Sequence, residues 1–219
     1  MIVSAGKPIP LVSLVLLALV LLGGTSSELS QLRQWGAYHP LPGFHPAPWQ
    51  LIRPLFLHFG WVHLICNGLA MLSLAPLLEK RSGPRCLAFV FLTSGAASLW
   101  PARYTAVGCS GAVYGLSVAL LLEALFEKRD ERWKLATMVG AGWLLGLTLP
   151  ADHLGHALGL MVGALSYLAW RGGRWTVLLL TLVWLGICAW VSRPPNIHAA
   201  GFAALRQDYP LHVQPGFHS

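Results

Sequence analysis

Charged residues are scarce in this sequence, and acidic residues are scarcer than basic ones. Only 11% of the 219 residues are charged and eight are Asp or Glu, whereas soluble domains carry about a quarter charged residues. In addition, 55% of the residues are hydrophobic and the mean hydropathy is +0.60. Together these values exclude an ordinary soluble domain. The composition is typical of a polytopic membrane protein, and one helical bundle accounts for a chain of this length.

Cysteine is also scarce. The four cysteines lie within or at the edges of apolar segments and form no Cys-x-x-Cys pair: Cys66, Cys86, Cys109 and Cys188. Neither a disulfide framework nor a zinc site is supported by this spacing. We therefore expect no metal and no other cofactor.

The chain has a net charge of +7 but no extended basic stripe, so we expect no nucleic-acid partner. Its Lys and Arg residues lie mainly in short linkers between apolar runs. With a cytoplasmic amino terminus, ten of the fifteen Lys and Arg residues face the cytoplasm, as the positive-inside rule favours. These ten are Lys7, Lys80, Arg81, Arg85, Lys128, Arg129, Lys134, Arg132, Arg171 and Arg174.

Apolar runs predict seven membrane-spanning helices. They cover residues 9–22, 55–78, 86–100, 110–126, 135–149, 153–170 and 175–191. Several are nearer fifteen than twenty residues long, which suits a locally thinned bilayer. We assign 1–192 to one transmembrane domain and 193–219 to a polar tail. A cleavable signal peptide over residues 1–24 is the alternative for the first run.

Ser110 begins one of these predicted helices, between Gly108 and Gly111. A buried hydroxyl at the head of a membrane helix needs a hydrogen-bond partner. The two glycines allow tight turns and close approach of a substrate, and the free N–H groups at a helix start favour a developing oxyanion. Ser110 is thus a candidate nucleophile. Taken alone, the motif also fits an N-cap serine beside packing glycines.

His156 is the candidate general base for Ser110, and His153 shares its helix face. The two helices each carry a Gly-x-x-x-Gly stripe beside the reactive residue, and such stripes let helices approach closely in lipid. We therefore expect direct contact between the hydroxyl and the imidazole. The stripe glycines are Gly111 and Gly115 in one helix and Gly159 and Gly163 in the other.

His63 and Asn67 are one turn apart on an earlier apolar segment. Both can donate hydrogen bonds, as stabilisation of an oxyanion requires. A hydrogen bond between helices is the alternative role for the pair. We interpret the preceding His58 as structural.

No acidic residue is well placed to orient His156, so we predict a catalytic dyad and no triad. Asp152 is the nearest acid and is predicted to be the N-cap of the last core helix. Tyr114 is four residues after Ser110 and is predicted to stack below the imidazole, although an ordinary core aromatic would look the same.

Three motifs together resemble the rhomboid intramembrane serine proteases. They are His63-x-x-x-Asn67, Gly108-x-Ser110-Gly111-x-x-Tyr114-Gly115 and His156-x-x-Gly159-x-x-x-Gly163, and Phe56-x-His58-Phe59 precedes the first. The order and spacing are similar to the family's over about residues 49–170. The resemblance implies a six-helix core in which the backbone N–H of Ser110 joins His63 and Asn67 around the oxyanion. The helix predicted over 175–191 would be a seventh.

The resemblance implies an endopeptidase that cuts single-span membrane proteins within or near the bilayer, in a bacterial inner membrane. The chain's size and compact first loop are also similar to the rhombosortase subgroup, which processes proteins with a Gly-Gly-bearing carboxy-terminal anchor. Two other functions stay open. One is a non-catalytic rhomboid-like protein that escorts membrane clients. The other is a metal or haem site built from His58, His63, His153 and His156. The sequence has no His-Glu-x-x-His motif, which disfavours such a site.

Overall fold

The computed structural model describes residues 10–39, 48–100, 102, 105–148, 152–173 and 176. Most of them belong to helices α1 (Leu11–Leu22), α2 (Leu29–Gln34), α3 (Pro48–Ile52), α4 (Gly60–Ser82), α5 (Pro84–Leu99), α6 (Ser110–Phe126), α7 (Arg132–Thr148) and α8 (His153–Gly172). A 3-10 turn covers Arg53–Phe56, and the short strands β1 (Thr25–Ser26) and β2 (His58–Phe59) form a parallel pair. The predicted all-α bundle is confirmed.

The apolar runs predicted over 9–170 correspond to α1 and to α4–α8. Among the described helices, α4 has the length and hydropathy for a membrane crossing, and α1, α5 and α6 are apolar but shorter. The span predicted over 175–191, the tail over 193–219 and the first nine residues lie outside the described residues, apart from Thr176.

Helices α5, α6 and α8 pack against one another at the centre of the bundle. Small residues make this possible: a Cβ on Gly115 of α6 would clash with Ser94 of α5, and one on Gly163 of α8 would clash with the backbone of Gly115. The apolar side chains around this contact, Phe91 of α5 and Leu116 of α6 among them, are fully buried. The backbones therefore approach as closely as the Gly-x-x-x-Gly stripes predict.

Helices α4, α6 and α8 begin at the same end of the bundle. His63 near the start of α4 lies against Gly108, just before α6, and Gly111 in the first turn of α6 lies against Gly159 of α8. Helix α7 runs the opposite way, because its last turns meet the first turn of α6. This arrangement gathers the predicted site residues at one end of the fold.

The start of α4 differs from the prediction. A helix was predicted from residue 55, but α4 begins at Gly60, whose φ is +76°. Before it, His58 is paired with Thr25 in the β1–β2 ladder, and its backbone N–H donates to the Gly24 carbonyl at 2.9 Å. A strand pairing with a segment some thirty residues earlier cannot be read from the local apolar pattern, and it takes these residues out of the helix.

The carboxylate of Glu79, near the end of α4, caps the start of α1. Its oxygens accept the backbone N–H groups of Val12 and Ser13 at 3.0 and 2.7 Å, and also the Ser13 hydroxyl at 2.5 Å. Free N–H groups at a helix start need such partners, and a carboxylate also suits the helix dipole. This contact ties α1 to α4 at the end of the bundle opposite Ser110.

The same end contains a buried carboxylate between two arginines. Glu123 of α6 is 2% exposed and pairs with Arg81 of α4 at 3.1 Å and with Arg129 at 2.7 Å. Arg81 also pairs with Glu131. Arg81 and Arg129 are among the residues that the charge count assigns to the cytoplasmic side.

Candidate active site

Ser110 is the first residue of α6, and the turn before it is shaped by glycine. Gly108 has a φ of +107°, which is in the left-handed region, and its N–H donates to the Pro54 carbonyl at 2.9 Å. A Cβ at this position would lie 2.5 Å from Cε1 of His63. Glycine is thus required both by the backbone conformation and by the imidazole that lies against it.

His156 approaches Ser110 from the first turn of α8. That helix is capped by Asp152, whose Oδ1 accepts the N–H of Gly155 at 2.9 Å, so the predicted N-cap is confirmed. Nε2 of His156 lies 2.8 Å from Oγ of Ser110, and both side chains are half-buried. This is hydrogen-bonding distance for a hydroxyl that donates to an unprotonated ring nitrogen.

The close contact of the two helices sets this distance. A Cβ on Gly159 would lie 2.5 Å from the carbonyl oxygen of Gly111, and one on Gly163 would clash with Gly115. The stripes pair glycine with glycine: Gly111 directly follows Ser110, and Gly159 lies about one turn after His156. Any larger side chain here would move the imidazole away from the hydroxyl.

Tyr114 stacks on the imidazole of His156, with ring centroids 4.6 Å apart and an interplanar angle of 27°. The other side of Tyr114 is held by α7: its ring meets Trp143 edge to face at 5.9 Å, and its hydroxyl lies against Gly146. The stacking is the contact predicted for Tyr114, and it restricts the orientation of the His156 ring.

His63 and Asn67 lie on the α4 side of the site. The His63 ring packs on Gly108, and Asn67 is 5% exposed. Nδ2 of Asn67 is buried and has no hydrogen-bond partner within the described part of the chain. A buried amide donor without a partner costs about 1–3 kcal/mol, so Nδ2 is an unused donor on this side of the site.

His58 is fully buried behind His63, and the two rings meet edge to face at 5.2 Å. Its Nε2 lies 3.8 Å from Sγ of Cys109. The His58 side chain thus connects β2 with the turn before Ser110, as expected of a structural residue. The described residues include no group of three His, Cys, Asp or Glu side chains that could hold a metal ion.

Within the described residues, no carboxylate is hydrogen-bonded to His156, because Asp152 is used as the helix cap. Such a site can perform acyl transfer: a hydroxyl beside an unprotonated imidazole is a potential nucleophile, and nearby donors can stabilise an oxyanion. Trp143 and Gly146 carry no motif that marks them as site residues in the sequence. Their three-residue spacing on α7 places them on one helix face, but nothing in the sequence links that face to Tyr114.

Comparison with known proteins gives one family model, described as the Rhomboid domain, which matches residues 45–174. The chain is 36% identical over 128 residues to YdcA of Bacillus subtilis (strain 168), covering 53% of this chain and 64% of that protein. It is 28% identical over 153 residues to RHOMBOID-like protein 6, mitochondrial, of Arabidopsis thaliana, with 65% and 49% covered.

It is also 28% identical over 123 residues to Rhomboid protease GluP of Bacillus subtilis (strain 168), where 51% of this chain and 24% of GluP are covered. The chain thus spans less than two thirds of the length of each of these relatives. The matched segment, 45–174, contains all the site residues described above.

Proposed function

We propose that this chain, which belongs to the rhomboid family, is a serine endopeptidase that cleaves proteins within or near the bilayer. As a rhomboid protein it is an integral membrane protein. The observation that carries the proposal is the 2.8 Å separation of Ser110 Oγ and His156 Nε2. A hydroxyl is a weak nucleophile until a base removes its proton, and this distance lets the imidazole act as that base.

The first half-reaction forms an acyl-enzyme. Ser110 Oγ attacks the carbonyl carbon of the scissile peptide bond while Nε2 of His156 takes the hydroxyl proton, and the carbonyl π electrons move to oxygen. The carbon–nitrogen bond then breaks as the imidazolium donates its proton to the leaving amine. An ester on Ser110 remains, and water hydrolyses it in the second half-reaction.

The oxyanion of each tetrahedral intermediate would be stabilised from two sides. Among the described residues, no side chain caps the start of α6 and no group accepts the backbone N–H of Ser110, so this N–H can donate to an oxyanion. His63 and Asn67 would supply the other donors, which the unpartnered Nδ2 of Asn67 supports. One donor of this kind is worth roughly 3–4 kcal/mol of barrier.

We further propose that the substrates are single-span transmembrane proteins and that the amino terminus is cytoplasmic. The support is the polarity of the bundle, because the Ser110 end lies opposite the end that contains Arg81, Arg129 and Arg171. The domain would extend over 1–192, with 193–219 as a tail. Membership of the rhombosortase subgroup stays a prediction, and processing of a Gly-Gly-bearing anchor would test it.

Co-expression with a panel of tagged single-span proteins tests the function. Wild type should cleave at least one of them, and Ser110→Ala and His156→Ala should each abolish that cleavage. The control is Met161→Ala, because Met161 is 48% exposed on the same helix as His156. Stable association with the panel and no cleavage by wild type would favour the escort function instead.

A further inference from the structure

A small cavity lies beside His156 and has no role in the chemistry described so far. Its volume is about 70 Å³, and it is lined by Tyr114, Trp143, Gly146, His153, His156 and Ala157. This volume is the space that the centre of a water molecule can occupy. About 10–15 Å³ of it is enough to hold one water molecule, provided that polar groups line the cavity.

Two of the lining side chains have unused hydrogen-bonding capacity. The indole Nε1 of Trp143 is buried, and no described residue accepts its proton. The imidazole of His153 is exposed and makes no hydrogen bond or ion pair with the described residues. The cavity is therefore lined by one donor and one potential acceptor that are not hydrogen-bonded to each other. A bound water molecule could satisfy both.

His153 does not compete for the partner of His156. Nε2 of His156 is engaged by Ser110, and Asp152 is engaged by the N–H of Gly155. Because the cap fixes the first turn of α8, His153 is held at the mouth of the cavity, one helical turn before His156. Its ring is free to interact with a solvent molecule.

We propose that this cavity positions the water that hydrolyses the acyl-enzyme, and that His153 is its positioning residue. This inference rests on the proposed protease function. The Nε1–H of Trp143 donates a hydrogen bond to the water oxygen, and an unprotonated ring nitrogen of His153 accepts a hydrogen bond from one water O–H, whose proton stays on the oxygen. The second water proton passes to His156 as the oxygen bonds to the ester carbon. The carbon–Oγ bond then breaks, and the imidazolium returns a proton to Ser110.

The test separates the two half-reactions with p-nitrophenyl acetate and purified full-length protein. Release of p-nitrophenolate in the first turnover reports acylation of Ser110, and intact-protein mass spectrometry follows the decay of the acetyl-enzyme. His153→Ala should slow the decay about ten-fold, the effect of one well-placed hydrogen bond, and leave the first-turnover rate unchanged. His153→Gln should restore part of the decay rate, because its amide oxygen can accept the same hydrogen bond from the water.

Leu154→Ala is the matched control, since Leu154 is 60% exposed in the same turn, and it should change neither rate. The proposal is overturned if His153→Ala leaves the decay rate unchanged, or if it slows acylation by the same factor as decay. Both of these outcomes leave the protease function intact. If wild type is not acetylated at Ser110, the proposed function fails and this inference fails with it.

Discussion

Gly159 of α8 lies so close to Gly111 of α6 that a Cβ on Gly159 would be 2.5 Å from the Gly111 carbonyl oxygen and 2.8 Å from its Cα. This contact is one turn from His156 and one residue from Ser110. The spacing of the two helix backbones therefore sets the hydrogen-bonding distance between hydroxyl and imidazole. The proposed catalysis therefore requires that Gly159 has no side chain.

Gly159→Ala should force the two helices apart, because a backbone carbonyl cannot move aside as a flexible side chain can. Overpacking of this kind costs about 1–3 kcal/mol, so we expect a lower Tm and a cleavage rate reduced at least ten-fold. Gly140→Ala is the matched control, since a Cβ there meets nothing within 4 Å. Wild-type cleavage by Gly159→Ala would show that helix spacing does not limit the reaction.

Tyr114 should act through its ring and not through its hydroxyl. Its ring stacks on His156, with centroids 4.6 Å apart, and Phe keeps that contact. We expect Tyr114→Phe to retain most of the cleavage rate and Tyr114→Ala to lose about ten-fold, because a slightly displaced base transfers protons poorly. The comparison of kcat for the two variants checks this. Equal losses would assign the effect to the hydroxyl.

Asn67→Ala should reduce kcat about 10²–10³-fold with little change in KM, the result expected for a donor that acts on the transition state. Nδ2 of Asn67 has no partner within the described part of the structure, so removing it breaks no described hydrogen bond from that nitrogen and the Tm should fall little. Cys66→Ala is the control, because Cys66 is the exposed neighbour on α4. A large loss of Tm that accompanies the loss of kcat would point to a structural role.

The sequence predicts the site better than it predicts the chain around the site. Helix α6 begins at Ser110 and ends at Phe126, as predicted, because the glycines before it and the continuous apolar run mark both ends. The pairing of glycine stripes follows from a local pattern as well. By contrast, β1–β2 pairing and the Glu79 cap of α1 join segments that are far apart in the chain. No local periodicity reports such contacts.

Trp143 illustrates the same limit within the site. On α7 it is one apolar residue among many, and only the packing of α7 against Tyr114 shows that its indole reaches the cavity beside His156. The sequence shows that His153 shares a helix face with His156, but it does not show which residues surround His153. The contact between Ser110 and His156 was expected from local motifs and is observed, whereas the contact of Trp143 with Tyr114 depends on a neighbouring helix and was not predicted.

Glu123→Gln should destabilise the end of the bundle opposite Ser110. Its carboxylate is buried between Arg81 and Arg129, and removing one partner of a buried ion pair costs about 3–5 kcal/mol. We expect a smaller loss, about 2 kcal/mol, because Arg81 keeps Glu131 as a partner and Arg129 reaches solvent. Thermal unfolding in detergent measures it. A stability equal to that of wild type would contradict this account.

Glu127 forms an exposed ion pair with Arg171, and this pair should make the stability of the fold depend on pH. The hydrogen bond from Arg171, at 2.7 Å, lowers the pKa of the Glu127 carboxyl. A lowered pKa in the folded state means that the pair stabilises the fold above the unfolded-state pKa and that this contribution is lost as pH falls through the folded-state value. Glu127→Gln should therefore lower the Tm slightly at pH 7, because exposed pairs contribute little, and by less at pH 3. An equal effect at both pH values would exclude the ion pair as its cause.

The most direct measurement is covalent labelling of the protein in native membranes with a fluorescent fluorophosphonate, which reacts with an activated serine hydroxyl. It requires no knowledge of the substrate. We predict that wild type is labelled at Ser110, that Ser110→Ala is unlabelled, and that His156→Ala reacts at least a hundred-fold more slowly, since its hydroxyl has lost the base 2.8 Å away. Labelling of Ser110→Ala, or labelling of His156→Ala at the wild-type rate, would contradict the proposed mechanism.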